Sequence, residues 1–134
     1  MNIIEKIKKI EDLDINQKGG ASDEQIERAE KRLNLKFSKE YIEYVKEFGA
    51  IGFFETEWSG LNIDGYLNVV NMTEDERALN EFFPKKYFVV ENIGVDRMLI
   101  ISNEEGKIYS IQYDKIKFLC DSLSEYLDIC LEEN

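Results

Sequence analysis

The chain has 134 residues, of which 17 are basic and 28 are acidic, so its formal net charge is −11, and it contains no histidine. An anionic chain without a basic stripe is poorly suited to phosphate backbones, which argues against nucleic acid as a direct partner. Without histidine the chain lacks the most common general base and metal ligand near neutral pH, so histidine-based catalytic and metal sites are excluded. We therefore expect neither enzymatic activity nor a bound cofactor.

Size and residue content indicate one folded domain spanning residues 1–134. Hydrophobic residues make up 43% of the chain and proline occurs once, which argues against disorder. Cys120 and Cys130 are too few for a disulfide framework and too far apart for a CxxC site, so we expect reduced core thiols. The N-terminal sequence lacks the apolar region of a signal peptide, and no apolar run is long enough to cross a membrane. The sequence therefore predicts a cytoplasmic protein.

The chain begins with a predicted amphipathic helix over residues 2–12, because isoleucines recur there at helical spacing. A connector follows over residues 13–21. Its acids and amides resemble the start of a calcium loop, but the position that needs glycine for the turn holds Gln17. We interpret this segment as a polar connector in which Leu13 and Ile15 point into the core.

Two capped helices come next. Ser22 and Gln25 form a capping-box pattern, which predicts the start of the first helix. Ser38 is a cap candidate for the second helix, and Gly49 suits its end. The predicted apolar faces are Ile26, Ala29 and Leu33 in the first helix, and Tyr41, Val45 and Phe48 in the second. Both spacings predict amphipathic helices that pack on a core.

After these helices the pattern changes to apolar and β-branched runs. They predict strands at residues 51–54, 57–61 and 66–70. The Asp64-Gly65 pair favours a hairpin turn between the last two of these strands. Thr73 and Glu76 then form a second capping-box pattern for a short helix that ends before Pro84.

The remaining sequence returns to strands and ends in a helix. Three strands with short turns are predicted at residues 86–92, 97–102 and 107–113, and a short apolar run occupies residues 116–120. Such short turns imply antiparallel pairing. Ser122 and Glu125 form a third capping-box pattern before a C-terminal helix. The sequence therefore predicts an α+β fold with one mainly antiparallel, twisted sheet of about six strands packed against N-terminal and C-terminal helices.

A capped helix, a short linker, a tyrosine-bearing helix and a glycine, as found over residues 21–54, resemble the SUKH superfamily. Later features match this superfamily in order: Val69–Thr73, Arg77, Pro84 and the strand Tyr87–Glu91. The resemblance spans residues 20–131. It departs at Lys36-Phe37-Ser38, where the superfamily usually has Leu-Pro.

The superfamily includes fungal cell-wall assembly regulators and many bacterial immunity proteins that neutralise toxins. The resemblance therefore implies a protein-binding function. Because an acidic inhibitor of a basic toxin gains both encounter rate and complementarity, we expect an immunity protein with a basic cognate toxin as its partner. The alternative is a regulatory interaction module, similar to the cell-wall regulators, with no toxin partner.

Acidic and aromatic residues in or beside the predicted strands and turns are the candidates for partner binding. They are Glu55, Glu57, Trp58, Asp64, Tyr66, Asp96, Glu104 and Glu105. Trp58 allows two interpretations, a core residue or an aromatic anchor ringed by acids, and aromatic side chains are more often buried. Tyr66 is the better candidate for an exposed anchor.

Overall fold

A computed structural model describes residues 1–133 of the chain. Its α-helices are α1 (Ile3–Lys8), α2 (Asp23–Leu33), α3 (Lys39–Phe48), α4 (Val69–Leu79) and α5 (Leu123–Glu132). Its strands are β1 (Asp14–Ile15), β2 (Ile51–Phe53), β3 (Thr56–Glu57), β4 (Phe88–Asn92), β5 (Leu99–Ser102), β6 (Ile108–Gln112) and β7 (Lys115–Cys120). A 3-10 helix, Gly65–Leu67, precedes α4. In the described range, no helix combines the length and the apolar character needed to cross a bilayer.

The strands form two antiparallel sheets, so the predicted α+β class is confirmed, but the single predicted sheet is wrong. The smaller sheet has the order β1-β2-β3 and the larger has the order β4-β5-β6-β7. The chain leaving β3 runs past β4 and donates one backbone hydrogen bond, from Ser59 N to Val90 O at 2.7 Å. Because this contact does not continue as a ladder, the two sheets remain separate.

Helices cover both faces of the four-stranded sheet. One face carries Phe88, Val90, Ile100 and Ile108 and shares a core with α1, α2, α3 and α5. The alternate residues Val89, Leu99, Ile101 and Ile111 point to the other face, where they pack with Met72 of α4 and with Phe83. Alternation of side chains along each strand thus divides the apolar residues between two cores.

The predicted helix caps are confirmed for three helices. Ser22 Oγ accepts from Gln25 N at 3.1 Å, and Gln25 Oε1 accepts from Ser22 N at 2.9 Å, which completes the capping box. Ser38 Oγ accepts from Tyr41 N at 3.2 Å. Ser122 likewise caps α5. Each cap satisfies a backbone donor that the first helical turn leaves without a partner.

The chain start differs from the prediction in two respects. The helix predicted over residues 2–12 is limited to α1, although Ile10 beyond its end is still buried. The predicted connector contributes β1, in which Ile15 pairs with Ile51 of β2. Ile15 is 47% exposed because β1 is the outer strand of the smaller sheet, so the prediction that it points into the core is wrong.

Residues 57–79 differ most from the prediction. Of the strand predicted at 57–61, only Glu57 lies in a strand, β3, and no strand forms at 66–70. Asn68 instead caps α4, accepting from Val70 N at 2.9 Å, so the helix begins four residues before the predicted Thr73 cap. Thr73 lies buried inside α4 and its hydroxyl accepts from Val89 N at 3.1 Å. The Asp64-Gly65 pair therefore leads into helical structure and not into a hairpin.

A close backbone contact fixes the end of α3 against the segment after β3. Gly49 has φ +77° and ψ −66°, and Ala50 N donates to Phe48 O at 2.9 Å, which is a γ-turn. A Cβ atom on Gly60 would lie 1.8 Å from Gly49 O. Glycine is therefore required at both positions, at Gly49 by its positive φ and at Gly60 by the contact distance.

Candidate protein-binding surface

The outer face of the smaller sheet carries two carboxylates on either side of a glycine. The register pairs Gly52 with Asp14 of β1 and with Glu57 of β3, so the three residues lie in one row on one face. A Cβ atom on Gly52 would lie 3.8 Å from both Asp14 Cβ and Glu57 Cγ. Because Gly52 has no side chain, the row presents partly exposed backbone between two acidic side chains.

Tyr66 lies beside this row and is bonded to it. Its hydroxyl donates to Glu57 Oε1 at 2.8 Å, and its side chain is 68% exposed. The hydrogen bond to Glu57 raises the pKa of Tyr66 above its ordinary value, since it stabilises the protonated phenol. The 3-10 turn holds the ring here, because Asn71 Nδ2 donates to Gly65 O at 3.0 Å.

The β2–β3 turn adds an exposed aromatic ring and a third acid. Phe54 has φ +53° and is 55% exposed, with its ring edge-on to buried Phe53 at 6.3 Å. A positive φ is uncommon for a bulky residue and costs conformational energy. Glu55 follows Phe54 at the tip of the turn and is also exposed.

We call the surface formed by Asp14, Phe54, Glu55, Glu57 and Tyr66 the acidic face. A groove of about 380 Å³ runs beside Tyr66 and is lined by the other four residues of this face together with Ile15, Gly52, Ile63 and Leu67. Asp64 lies two positions before Tyr66 in the chain, and its carboxylate pairs with Lys18 Nζ at 3.2 Å. Acids around exposed aromatic rings, with a bare backbone floor, are suited to contact a basic protein surface.

Residues 1–132 match the family model SUKH_5, which is described as SMI1-KNR4 cell-wall. The chain belongs to the SUKH family. The match extends from α1 into α5 and so includes both sheets and the acidic face. No curated protein matches the chain.

In this SUKH chain Trp58 belongs to the core. Its side chain is 0% exposed, and its ring packs edge-on against Tyr44 at 5.5 Å and Phe53 at 5.8 Å. On a third side it stacks on Tyr126 at 6.1 Å. The interpretation of Trp58 as a core residue is therefore confirmed, and its alternative role as an exposed anchor is wrong.

Three of the other candidates lie away from the acidic face. Asp96 is in the β4–β5 turn, where its backbone carbonyl accepts from Gln112 Nε2 at 2.8 Å. Glu104 and Glu105 are in the β5–β6 turn and line a separate groove of about 750 Å³. That groove also contains Lys31, Lys36 and Lys86, so its charge is mixed. The structure thus brings together Glu55, Glu57 and Tyr66, with Asp64 adjacent.

Sequence reasoning missed two residues of the acidic face, Asp14 and Phe54, and the exposed Ile15 that lines its groove. Strand β1 has only two residues, which is too short to show alternation, and its partner β2 lies 36 positions further along the chain. One local signal was available. In Ile51-Gly52-Phe53 a glycine separates two apolar residues in a strand, a pattern typical of a position where another group approaches the backbone.

The described residues offer little for metal or thiol chemistry. Among residues 1–133, no three acidic or cysteine side chains are arranged to hold a metal ion. Asn16, part of the calcium-like segment, instead donates from Nδ2 to Asn62 O at 2.8 Å. Burial raises the pKa of the Cys120 thiol and raises that of Cys130 to about 12, so both thiols stay protonated at neutral pH.

Proposed function

We propose that this SUKH chain is an immunity protein, a cytoplasmic binding protein that occludes a basic cognate toxin by stoichiometric contact and performs no chemistry itself. The observation that carries the proposal is the row in which Asp14 and Glu57 flank the bare backbone of Gly52, with Tyr66 bonded to Glu57. A cationic side chain of the partner can reach both carboxylates there. The exposed rings beside them supply apolar contact area.

The two kinds of side chain serve different stages of binding. Carboxylates at the rim of an interface attract a basic partner over distance and raise the association rate at low salt. Aromatic rings that lose their water on contact chiefly control how slowly the complex dissociates. The acidic face combines both, since Glu55 and Glu57 stand beside Phe54 and Tyr66.

The test begins by co-purifying the chain with the product of the neighbouring gene and measuring binding kinetics by surface plasmon resonance across a salt series. The variant D14N/E55Q/E57Q removes three charges from the acidic face without changing side-chain size. We expect its association rate at low salt to fall by about tenfold and to depend less on salt.

The variant D96N/E104Q/E105Q is the matched control, because it removes the same number of charges from exposed turns outside the acidic face. Its association rate should change much less. Equal slowing in both variants would mean that only net charge controls association. The acidic face would then not be the binding surface. An association rate that does not change with salt in the unmodified protein would rule out a basic partner altogether.

Tyr66→Ala tests the aromatic part in the same experiment. We expect dissociation to accelerate by about 5- to 150-fold, the range of an interface hot spot, with a smaller effect on association. Tyr66→Phe keeps the ring but removes the hydrogen bond to Glu57, so it separates the ring from the hydroxyl. An unchanged dissociation rate for Tyr66→Ala would exclude Tyr66 from the interface.

The second candidate is a regulatory interaction module without a toxin partner. The description of the matched family, SMI1-KNR4 cell-wall, favours this function. Genome context separates the two candidates, because a toxin gene immediately upstream supports immunity. If the chain instead co-purifies with cell-wall or other regulatory proteins and fails to protect cells from the neighbouring gene product, the regulatory function is the better one.

A further inference from the structure

Strand β7 is the open edge of the four-stranded sheet. It pairs with β6 on one side, and no described residue pairs with its other side. The four residues Lys115–Phe118 are all exposed. An edge strand presents unpaired backbone N–H and C=O groups that can accept another strand. The opposite edge of the same sheet is contacted by Ser59, so of the two edges of this sheet β7 is the one without a partner among the described residues.

Apolar side chains line one face of this edge. Ile116 is 47% exposed and Phe118 is 49% exposed, and both point to the same side of the strand. Phe118 contacts Tyr109 edge-on at 5.6 Å, and Tyr109 contacts Tyr87 at 5.5 Å. We call Tyr87, Tyr109, Ile116 and Phe118 the edge patch. The edge patch is continuous with the core beneath α4, because Tyr87 and Tyr109 pack against that core.

Two lysines occupy the other side of the strand. Lys115 and Lys117 pair in register with Gln112 and Ser110, and neither forms an ion pair with a described residue. The strand Lys115–Cys120 contains no acid. Asp114 and Asp121 flank the strand, so in a chain with net charge −11 the basic charge is confined to the strand itself.

Lysine on an edge strand also commonly protects a sheet against pairing with another chain. Protection is therefore an alternative explanation for Lys115 and Lys117. The lysines do disfavour a second copy of this chain, because a two-fold antiparallel pair centred on Ile116 or Lys117 places lysine opposite lysine. Protection alone leaves the edge patch unexplained. Exposed apolar side chains beside an open edge promote pairing, and large apolar patches mark interaction sites.

We propose that β7 binds an extended segment of a partner protein as a fifth strand, and that this segment alternates acidic with apolar residues. Its acids face Lys115 and Lys117, while its apolar residues cover Ile116 and Phe118. Backbone hydrogen bonds supply affinity and the alternation supplies specificity. The site is independent of the acidic face, which lies beyond the β4 edge.

The acidic face lies far enough from β7 for an acidic segment to approach β7. Three strand spacings separate β4 from β7, about 14 Å in total. The Debye length at physiological salt is about 8 Å, so the acidic face is largely screened from a ligand at β7. Lys115 and Lys117 lie within the strand that pairs with the ligand, whereas the acids Asp114 and Asp121 flank its two ends, so the lysines stand directly opposite the ligand's acidic residues.

The experiment uses synthetic peptides of the length of β7 with the full-length protein at physiological salt. The first peptide alternates glutamate with valine, the second alternates lysine with valine, and a third carries proline at the centre of the first. Backbone NMR shifts report where each peptide binds. We expect the glutamate peptide to shift the amides of residues 115–120 and to bind about tenfold more tightly than the lysine peptide. The proline peptide should bind weakly, since it lacks a ladder donor.

The charge-reversed variant K115E/K117E should bind the lysine peptide more tightly than the glutamate peptide. Both lysines are exposed, so thermal unfolding should confirm that the variant is folded. The acidic-face variant D14N/E55Q/E57Q should retain peptide preference. The proposal is overturned if both peptides bind K115E/K117E with unchanged preference, if shifts lie away from β7, or if the free protein sediments as a dimer through β7.

Discussion

At one edge of the four-stranded sheet, β4 is covered by the Trp58–Ser59 segment, whereas at the other edge β7 is exposed over most of its length. Ser59 N donates to Val90 O and Ser59 Oγ donates to Val89 O, both at 2.7 Å. Nothing comparable reaches the outer side of β7 in the described part of the chain. The same sheet therefore has one edge built into the core and one edge available to a partner.

The β4 edge is covered because side chains of α3 hold the Trp58–Ser59 segment against it. Tyr44 OH donates to Ser59 O at 2.8 Å and accepts from Ile51 N at 3.1 Å, so it links the covering segment to β2. Tyr41 OH and Ser59 Oγ lie 2.8 Å apart. Burial raises the pKa of both phenols, which keeps them neutral and able to donate. These buried hydrogen bonds keep the segment in place at the β4 edge, because breaking them would leave polar atoms buried without a partner.

The comparison also concerns charge. The covered edge leads to the acidic face, with Asp14 and Glu57, while the open edge carries Lys115 and Lys117. The net charge of −11 therefore matches the acidic face but not the strand at the open edge. Two partners of opposite charge pattern can be accommodated at opposite edges of one sheet.

The largest expected effect is at the covered edge. Trp58→Ala should destabilise the fold by about 3–5 kcal/mol, because the ring is fully buried among Tyr44, Phe53 and Tyr126. The measurement is urea unfolding followed by circular dichroism. Tyr66→Ala is the control, since Tyr66 is exposed and its loss should cost about 0.5 kcal/mol or less. A loss below 1 kcal/mol for Trp58→Ala would mean that the covering segment does not hold this edge.

Local features of the fold were predictable from the sequence, and features that depend on distant pairing were not. Ser22, Ser38 and Ser122 act within three residues of themselves, so the sequence pattern suffices to find them. The division into two sheets arises because the segment after β3 meets β4 only at Ser59 and Val90, and no local sequence pattern predicts that distant contact.

The wrong strand at residues 66–70 has a local cause. Val69 and Val70 are β-branched and favour strands, whereas Asn68 directly before them favours the start of a helix. Val69, Met72 and Thr73 are all buried in α4 and follow helical spacing. This spacing begins at Asn68, and a helix started there would have been the better prediction.

The candidate site was predictable where its acids and aromatic residues lie close together in the chain. Glu55 and Glu57 are two positions apart in the chain, which suffices to place them together. Asp14 reaches them through β1–β2 pairing, and its neighbour Ile15 is exposed for the same reason. Trp58 follows Glu57 directly, yet it is buried, because the chain turns inward at that residue.

The second prediction concerns a buried acid near the covered edge. The β-bulge in β4 places Glu91 on the α5 side, where Tyr126 OH donates to Glu91 Oε1 at 2.6 Å. Burial raises the pKa of Glu91, and the hydrogen bond from Tyr126 offsets this only in part. The ionised form is therefore disfavoured in the folded state, and Glu91→Gln should stabilise the protein at pH 8 by on the order of 1 kcal/mol.

The pH dependence has a defined sign. Because the pKa of Glu91 is higher in the folded than in the unfolded state, its penalty is full above the folded value and disappears as pH falls below the unfolded value. The stability gap between Glu91→Gln and the unmodified protein should therefore shrink between pH 8 and pH 4. Chemical unfolding at several pH values measures this gap. A gap that stays constant or widens towards acid would show that burial does not penalise this carboxylate.

The smallest expected effect is at the open edge. Ile116→Thr keeps a β-branched side chain at an exposed position, so it should change the free energy of unfolding by about 0.5 kcal/mol or less. The matched control is Ile101→Thr on the same face of the sheet, where the side chain is fully buried. That change should cost at least about 2 kcal/mol, because it removes apolar contacts and buries a hydroxyl.

The two isoleucines decide whether β7 is open in solution. Denaturant titrations of both variants, at low and high protein concentration, give the comparison. A small cost at Ile116 that is independent of concentration means that nothing covers this edge in the isolated protein, as the structure has it. A cost at Ile116 that approaches the cost at Ile101 and grows with concentration means that a second copy pairs with β7, because mass action then adds to stability. In that case the contrast between the two edges is lost, and so is the site for an acidic strand.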